Sequence, residues 1–410
     1  MKNIRKFFIL LTVMTFTGCS MQSSNISETA DKNSFSVGFV CSNENNDDVY
    51  YRAYEMAQED IEKLDSSVNI NLQICYDEKD YTKGLEIAQQ FCKDTSMVGV
   101  VGHINTDMCL SMKNIYEENH MPLLVPTIDS DKLLDSGEKY IYRTMPNMTT
   151  EAEFFTSFAY IDETMKNAVI IYSDGQYGNE FSKVLEKSLV EDKAVTVSDK
   201  ICSPDVYKDI PDCIKKWRAL DIDTVFLIGN LELYQYYVPI IKEFDSDIKI
   251  YSSVDFENYY LDDREVYPYY EGVYQLSVSQ YDYNDELGDF YKRYEEKYGS
   301  MPNSDAVQVY DDIMIIAKAI SEQGVRSPEQ LKNFLDTSEG VGSIYGSELC
   351  FSDNEMRNKI CFVQSYNENG TLSSSIGFTN NQLDEIWLNY YSTDVIDEFA
   401  LRGEYTNNEE

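Results

Sequence analysis

The sequence predicts an α/β protein built as two doubly wound parallel-sheet lobes, joined by a hinge that the chain crosses more than once. Three observations lead there. Short apolar runs of strand length alternate with amphipathic helical patterns. The alternation runs through two successive cycles of similar size, and a late helical stretch followed by one more strand reads as a return across the hinge. Apolar strands separated by helices require a parallel sheet covered on both faces. The right-handed crossover rule then limits each cycle to a doubly wound layer.

The first cycle places strands at Phe35–Val40, Asn69–Tyr76, Met97–Gly102 and Pro122–Val125. Between them, Tyr50, Tyr54, Ala57, Ile61 and Leu64 share one helical face. Leu85, Ala88 and Cys92 share a second, and Leu110 or Met112 with Ile115 and Tyr116 a third. The second cycle starts after Tyr140–Arg143, where Thr149 or Thr150 can cap a helix running to about Ile161. Glu151 and Glu153 favour that helix start electrostatically. Strands follow at Ala168–Tyr172, Ala194–Ile201, Thr224–Ile228 and Ile248–Tyr251, with helices at Tyr177–Leu189, Ile210–Leu220 and Leu231–Phe244. Beyond Glu271–Val278, helices are expected at Glu286–Tyr298, Asp305–Glu322 and Pro328–Thr337. A glycine-rich turn at Gly340–Gly346 and a strand at Lys359–Tyr366 close the pattern.

The first residues set the compartment. Lys2, Arg5 and Lys6 precede the apolar run Phe7–Phe16 and small Thr17 and Gly18. This is the layout of a secretory signal peptide, too short for a membrane span. Its end, Phe16-Thr17-Gly18-Cys19, resembles a bacterial lipobox, with Cys19 the lipidated first residue of the mature chain. The expected division is a signal peptide over 1–18, a polar tether over 19–34, and lobe 1 over 35–143 with a return segment 276–340. Lobe 2 is expected over 144–275 with a return segment 341–375, and a C-terminal extension over 376–410. The net charge of −38 argues against binding nucleic acid or an anionic membrane surface, so membrane attachment is expected through the lipid anchor only. With 43% hydrophobic residues the chain is not disordered.

Eight further cysteines allow disulfides in an exported protein, with Cys202–Cys213 and Cys350–Cys361 the first pairs to test. Cys75, Cys92 and Cys109 fall within predicted elements, where a buried thiol is the usual reading. There is no CxxC and there are only two histidines, His103 and His120, so neither a metal site nor a cofactor is expected. The sequence has no GxSxG, P-loop, HExxH or strand-following GxGxxG, and no enzyme is expected.

Ligands of open α/β sheets sit beyond the carboxyl ends of the strands. Three polar loops fall there: His103-Ile104-Asn105-Thr106, Pro126-Thr127-Ile128-Asp129-Ser130, and Ser173-Asp174-Gly175-Gln176-Tyr177-Gly178. Thr106 is placed to cap the helix it opens, whose free amides suit a carboxylate. Each loop alone reads as a capped helix start, but three of them on two facing units outline a cleft.

Through these loops the sequence resembles the type I periplasmic (solute) binding proteins, in the branch that binds leucine, isoleucine and valine. The matching segments are GVVGHINTDMCLSMKNIYEENHMPLLVPTIDS, YIYRTMPNMTTEAEFF and AVIIYSDGQYGNEFSKVLEKSL, and the likeness runs from Phe35 to about Tyr366. The resemblance implies three hinge crossings, a ligand trapped between lobes, and delivery to the permease subunits of an ABC importer. By position it implies that Thr106 binds a ligand carboxylate, with Ile104 and Asn105 lining the pocket beside it. Thr127, Ile128 and Asp129 match the next loop, Tyr177 the aromatic residue of the facing lobe, and Tyr50 an aromatic wall. Asn230 falls near another pocket position, and Asp255 near the acid that pairs with a ligand ammonium. Met56 and Tyr51 bring more bulk than the family carries, and Asp129 replaces a neutral hydroxyl. Either Asp129 faces an ammonium or the ligand is not a plain α-amino acid; the bland alternative is a solvated cap on the next turn.

The expected protein is thus an extracytoplasmic, lipid-anchored substrate-binding protein of an ABC importer, taking an amino acid or similar small polar metabolite. A second reading is a ligand-sensing or scaffold lipoprotein that offers the same fold to a protein partner.

Overall fold

The computed structural model describes residues 33–43, 49–64, 67–161, 165–191, 195–203, 210–229, 231–253, 272–281, 283–366 and 372–379. Lobe 1 opens with β1 (Ser34–Cys41), α1 (Val49–Ile61), β2 (Asn69–Tyr76), α2 (Tyr81–Lys93), β3 (Met97–Val101), α3 (Thr106–Glu118), β4 (Leu123–Val125) and β5 (Ile141–Arg143). Lobe 2 holds α4 (Met148–Ile161), β6 (Asn167–Ser173), α5 (Gln176–Glu191), β7 (Thr196–Ser203), α6 (Ile210–Ala219), β8 (Thr224–Ile228), α7 (Leu231–Phe244), β9 (Lys249–Ser252) and β10 (Val273–Ser277). The chain then returns through α8 (Asp285–Tyr298), α9 (Ser304–Ser321), α10 (Pro328–Thr337), β11 (Cys350–Ser352) and β12 (Glu355–Arg357) to lobe 1. It crosses again to end the described fold with β13 (Ile360–Tyr366) and β14 (Leu372–Thr379) in lobe 2.

The two sheets run β11-β12-β5-β4-β3-β1-β2 and β14-β13-β10-β9-β8-β6-β7. In each, the five strands laid down first are parallel, with the first lying between the second and third. That reversal of order makes the topological switch point of a doubly wound sheet. Side chains alternate between faces, as a strand buried on both sides requires. Val37 and Phe39 enter the core under α1, α8, α9 and α10, while Val40 enters the core under α2 and α3. Gly38 lies on that second face because a Cβ there would stand 2.8 Å from the Phe91 ring. In lobe 2, Ala168 and Ile170 pack with Phe155 and Phe181, and Val169 and Ile171 with Trp217, Tyr234 and Tyr237. The nearly all-buried α9 explains its lack of a clear apolar stripe: it lies between α1 and the sheet.

Several expectations need correcting. The third crossing falls at Asn358–Lys359 instead of near 341, because Ile344, Tyr345, Leu349, Phe351 and Met356 fill the lobe 1 core. β12 also pairs beside β5, keeping residues up to Arg357 in lobe 1. β10 ends the second passage of lobe 2 at Ser277, and β14 carries lobe 2 past residue 375. All eight cysteines among the described residues are thiols. Cys350 and Cys361 could not pair in this arrangement, since β11 belongs to one sheet and β13 to the other. Cys19 and the segments 1–32 and 380–410 lie outside the described residues.

Candidate functional site: the cleft between the lobes

The loop after β3 is held from beneath by a chain of buried polar groups. Gly102 has φ +118°, and a Cβ there would lie 2.5 Å from the Val40 carbonyl oxygen, so only glycine fits. His103 is wholly buried, with Nδ1 2.8 Å from Asp77 Oδ2 and Nε2 3.1 Å from the Tyr116 hydroxyl. Burial pushes the Tyr116 hydroxyl well above its ordinary range, so it stays a neutral partner. Asp77 follows β2 directly, and its Oδ1 accepts from the Lys79 amide at 2.9 Å. The result is a fixed platform from which Ile104–Thr106 leave the sheet. Asn105, and not Thr106, caps α3: its Oδ1 accepts from the Met108 amide at 3.2 Å. The Thr106 hydroxyl is thereby left out of the cap. The same shift occurs at α4, where Asn147 Oδ1 accepts from the Thr150 amide at 2.7 Å, replacing the expected Thr149 or Thr150.

The loop after β4 is tied both to its neighbour and to the hinge. Thr127 Oγ1 donates to the Ile104 carbonyl at 3.0 Å. Arg143, at the end of β5 and 1% exposed, donates to the carbonyls of Asp129 (3.1 Å) and Ser130 (2.8 Å). The Met148 amide, in the first turn of α4, donates to the same Asp129 carbonyl at 2.9 Å. The Asp129 side chain is 8% exposed, which rules out a solvated cap; the next turn, Asp131–Leu134, has no side-chain cap. Burial pushes the Asp129 carboxyl up to about 7, against its own backbone amide and Arg143; Asp131 and Glu180 add to the rise. Glu180 belongs to α5 of the other lobe, so the carboxyl of Asp129 senses both walls of the cleft. Lys132 reaches across from the same loop to Glu180, joining the walls directly.

Beneath the cleft, two of the three crossings meet in one buried polar cluster. Lys359, 1% exposed, donates to the Thr144 carbonyl at 3.0 Å and to Gln308 Oε1, and stands 3.9 Å over the centre of the Tyr345 ring. Thr144 Oγ1 lies 2.8 Å from Asp312 Oδ2, and Asp311 accepts from Ser343 Oγ at 2.6 Å and the Ile344 amide at 2.9 Å. Burial lowers Lys359 to about 8 while Asp311 and Asp312 hold it up. Burial raises both carboxyls, with the charge of Asp311 raising Asp312 further. The remaining crossing leans on a neutral network: Ser279 Oγ is 2.7 Å from the Tyr291 hydroxyl, and Gln280 Oε1 accepts from Gln364 at 3.0 Å.

The structure therefore brings Ile104, Asn105, Thr106, Thr127 and Asp129 to one wall, and Tyr177 to the other, in the first turn of α5 with its ring edge-on to Phe181. Ile128 is fully buried in the core under β4, so it supports the loop from beneath instead of lining the cleft. The Tyr50 hydroxyl donates to Asp305 Oδ2 at 2.7 Å, tying α1 to α9. Asn230 and Asp255 lie outside the described residues. Sequence reasoning missed Arg143, Thr144 and Lys359. Arg143 and Lys359 carried a signal: each is a cation at a strand end in a chain poor in cations. Among the described residues no group of acids, cysteines or histidines could hold a metal ion, and no helix is long and apolar enough to cross a membrane.

Two lobes of the same topology, three crossings and facing strand-tip loops define a hinged two-lobe binding protein. The chain belongs to the periplasmic binding protein family, whose profile matches residues 50–371, with the type I architecture. This is a family of solute-binding proteins, not of enzymes. No curated protein sequence matches it. Among solved structures it is similar to an ABC transporter substrate-binding protein from Desulfitobacterium hafniense in complex with Leu. That likeness has 20% identity and a TM-score of 0.69, covering 83% of this chain and 99% of that one. It is also similar to a branched-chain amino acid transporter substrate-binding protein from Streptococcus pneumoniae in complex with isoleucine, at 16% identity and TM-score 0.68, covering 84% and 99%. A solute-binding protein from Rhodopseudomonas palustris, in complex with 3,4-dihydroxybenzoic acid, shares 14% identity and a TM-score of 0.68, covering 85% and 97%. At such identities the likeness establishes the fold alone.

Proposed function

We propose that this protein is the extracytoplasmic, lipid-anchored substrate-binding component of an ABC importer, closing its lobes on an amino acid or similar small polar metabolite. The observation that carries the reading is the pair of strand-tip walls facing each other over a multi-crossing hinge, bridged by Lys132 and Glu180. The ABC substrate-binding structures of the same fold support it. The ligand is held between Asn105, Thr106, Thr127 and Asp129 on one side and Tyr177 on the other, and its burial on closure shifts the open–closed equilibrium. Ile104 takes part through its backbone carbonyl, which orients Thr127. Permease subunits are the partner, and Cys19 carries the acyl chains.

Melting temperature measured against a panel of amino acids, amides and nucleosides tests this reading. One specific upward shift is expected, growing with ligand concentration. Tyr177→Ala, which leaves the sheet intact, should weaken that ligand about tenfold or more, the effect of removing one aromatic contact. Silence across the panel favours the scaffold or sensor reading. The anchor has its own check: Cys19→Ala should move the protein from the membrane to the soluble fraction, and unchanged membrane retention would remove the lipid from the proposal.

A further inference from the structure

We propose that the cleft takes a solute presenting a cationic amine or amidine, seated on the carboxylate of Asp129. This rests on the solute-binding reading above and names the ligand class for the same site.

The side chain of Asp129 is more than nine-tenths buried, and apart from its own backbone amide no donor among the described residues reaches its carboxyl. A buried carboxylate without a partner is costly, and native proteins retain one where something arrives to meet it. The nearby cations are mostly engaged elsewhere, with Arg143 Nε the one buried donor among them left without a partner. Arg143 spends its two terminal nitrogens on the carbonyls of Asp129 and Ser130, with Asp131 at 3.9 Å and Glu355 at 3.8 Å flanking it. Lys132 is paired with Glu180 across the cleft.

Carboxyls from four elements gather around Asp129 and its neighbour Arg143. Asp131 stands on the following turn, Glu180 on α5, Glu355 on β12 and Glu151 in the first turn of α4. With Asp129 that is an excess of acid over the two cations Arg143 and Lys132. A ligand carboxylate entering here meets repulsion, whereas an ammonium or amidinium meets an acceptor with its lone pairs open. In the empty cleft a proton relieves the same excess, because burial and the neighbouring carboxyls hold Asp129 near 7. The incoming cation displaces that proton. Affinity should therefore rise with pH up to about neutrality and level off above it.

The test is calorimetry on the full protein with agmatine, putrescine, L-leucine and 4-methylpentanoate, which is leucine without its ammonium. At least one of the two amines should bind, roughly tenfold more weakly at pH 6 than at pH 8, in step with the ionised fraction of a group titrating near neutrality. Asp129→Asn should cost the amine at least tenfold at pH 8, and Asp129→Glu should keep part of the binding. Binding of 4-methylpentanoate, leucine binding that survives Asp129→Asn, or amine binding indifferent to it overturns the inference and leaves solute binding standing. Silence toward all four also overturns it; silence across the wider metabolite panel as well removes the solute-binding reading beneath it.

Discussion

Replacing Lys359 with methionine should lower the unfolding free energy by about 3–5 kcal/mol at pH 8, the range for removing one member of a buried ion cluster. Methionine keeps most of the side-chain volume, so the loss reports charge and hydrogen bonds and not a cavity. The substitution takes a donor from the Thr144 carbonyl and from Gln308, and a cation from the face of Tyr345. It also takes the ammonium of Lys359 from the buried Asp311 and Asp312, leaving Lys318 as a cation near Asp311. Both carboxyls already have folded pKa values above the ordinary value of 3.8, and without Lys359 they rise further. A raised carboxyl contributes stability that is present at low pH and lost as pH rises through its folded value. The deficit of the variant should therefore shrink as the pH falls, Asp312 taking up a proton in place of the lost cation. Urea unfolding of both proteins at pH 6 and pH 8 measures it; a deficit equal at the two values would show that the cluster is not electrostatically coupled.

The same cluster bears on how the cleft works. Thr144 lies on the first crossing, Lys359 on the third, and Asp312 on the helix packed between them. Because Lys359 is bonded to Thr144 and Thr144 to Asp312, the two crossings are tied to each other and to α9, which favours rotation of whole lobes about this point. Across the mouth of the cleft the bond between Lys132 and Glu180 is exposed, with side chains 54% and 27% accessible. Exposed pairs of this kind contribute at most about 1 kcal/mol. A stiff pivot with a weak latch leaves the open and closed forms close in free energy, so the differential contacts of a ligand decide between them.

Most of this architecture is legible in the sequence because its strands are buried on both faces. Runs such as TVFLI and AVIIY can be little else once helices separate them, and β6 and β8 lie where those runs do. The late helices are equally plain, α10 beginning at Pro328 behind the Ser327 cap. What the sequence hides is partnership. β11 and β12 are three residues each, too short to carry periodicity, and only their pairing beside β5 makes them strands of lobe 1. The caps were misplaced by a residue or two because asparagine and threonine serve equally well there and local geometry chooses. At the site, Asp129 is visible as an oddity and Arg143 and Lys359 as cations at strand ends, but the roles of those two cations are not, since each depends on backbone carbonyls of another segment.

Asp129→Asn should make the empty protein more stable at pH 8 and leave it nearly unchanged at pH 3. The carboxyl titrates near 7 in the folded chain against 3.8 as its ordinary value. Between those two values the folded state holds a proton that the unfolded state has released, so wild-type stability falls as pH rises through about 7. Each pKa unit corresponds to about 1.4 kcal/mol, and relaxation of the loop lowers the full product, leaving an expected gain of roughly 2–4 kcal/mol for the variant at pH 8. Asparagine reproduces the size and neutrality of the protonated acid, which is why the difference vanishes once the pH falls below the ordinary value of 3.8, where the unfolded chain is protonated as well. Denaturant midpoints at the two pH values check this, and a variant less stable than wild type at pH 8 would mean that Asp129 has a cationic partner within the fold. A residue that weakens the empty state at working pH, and whose removal abolishes amine binding, spends stability on recognition. Adding the bound amine should return the lost stability to the wild type and give nothing to the asparagine variant.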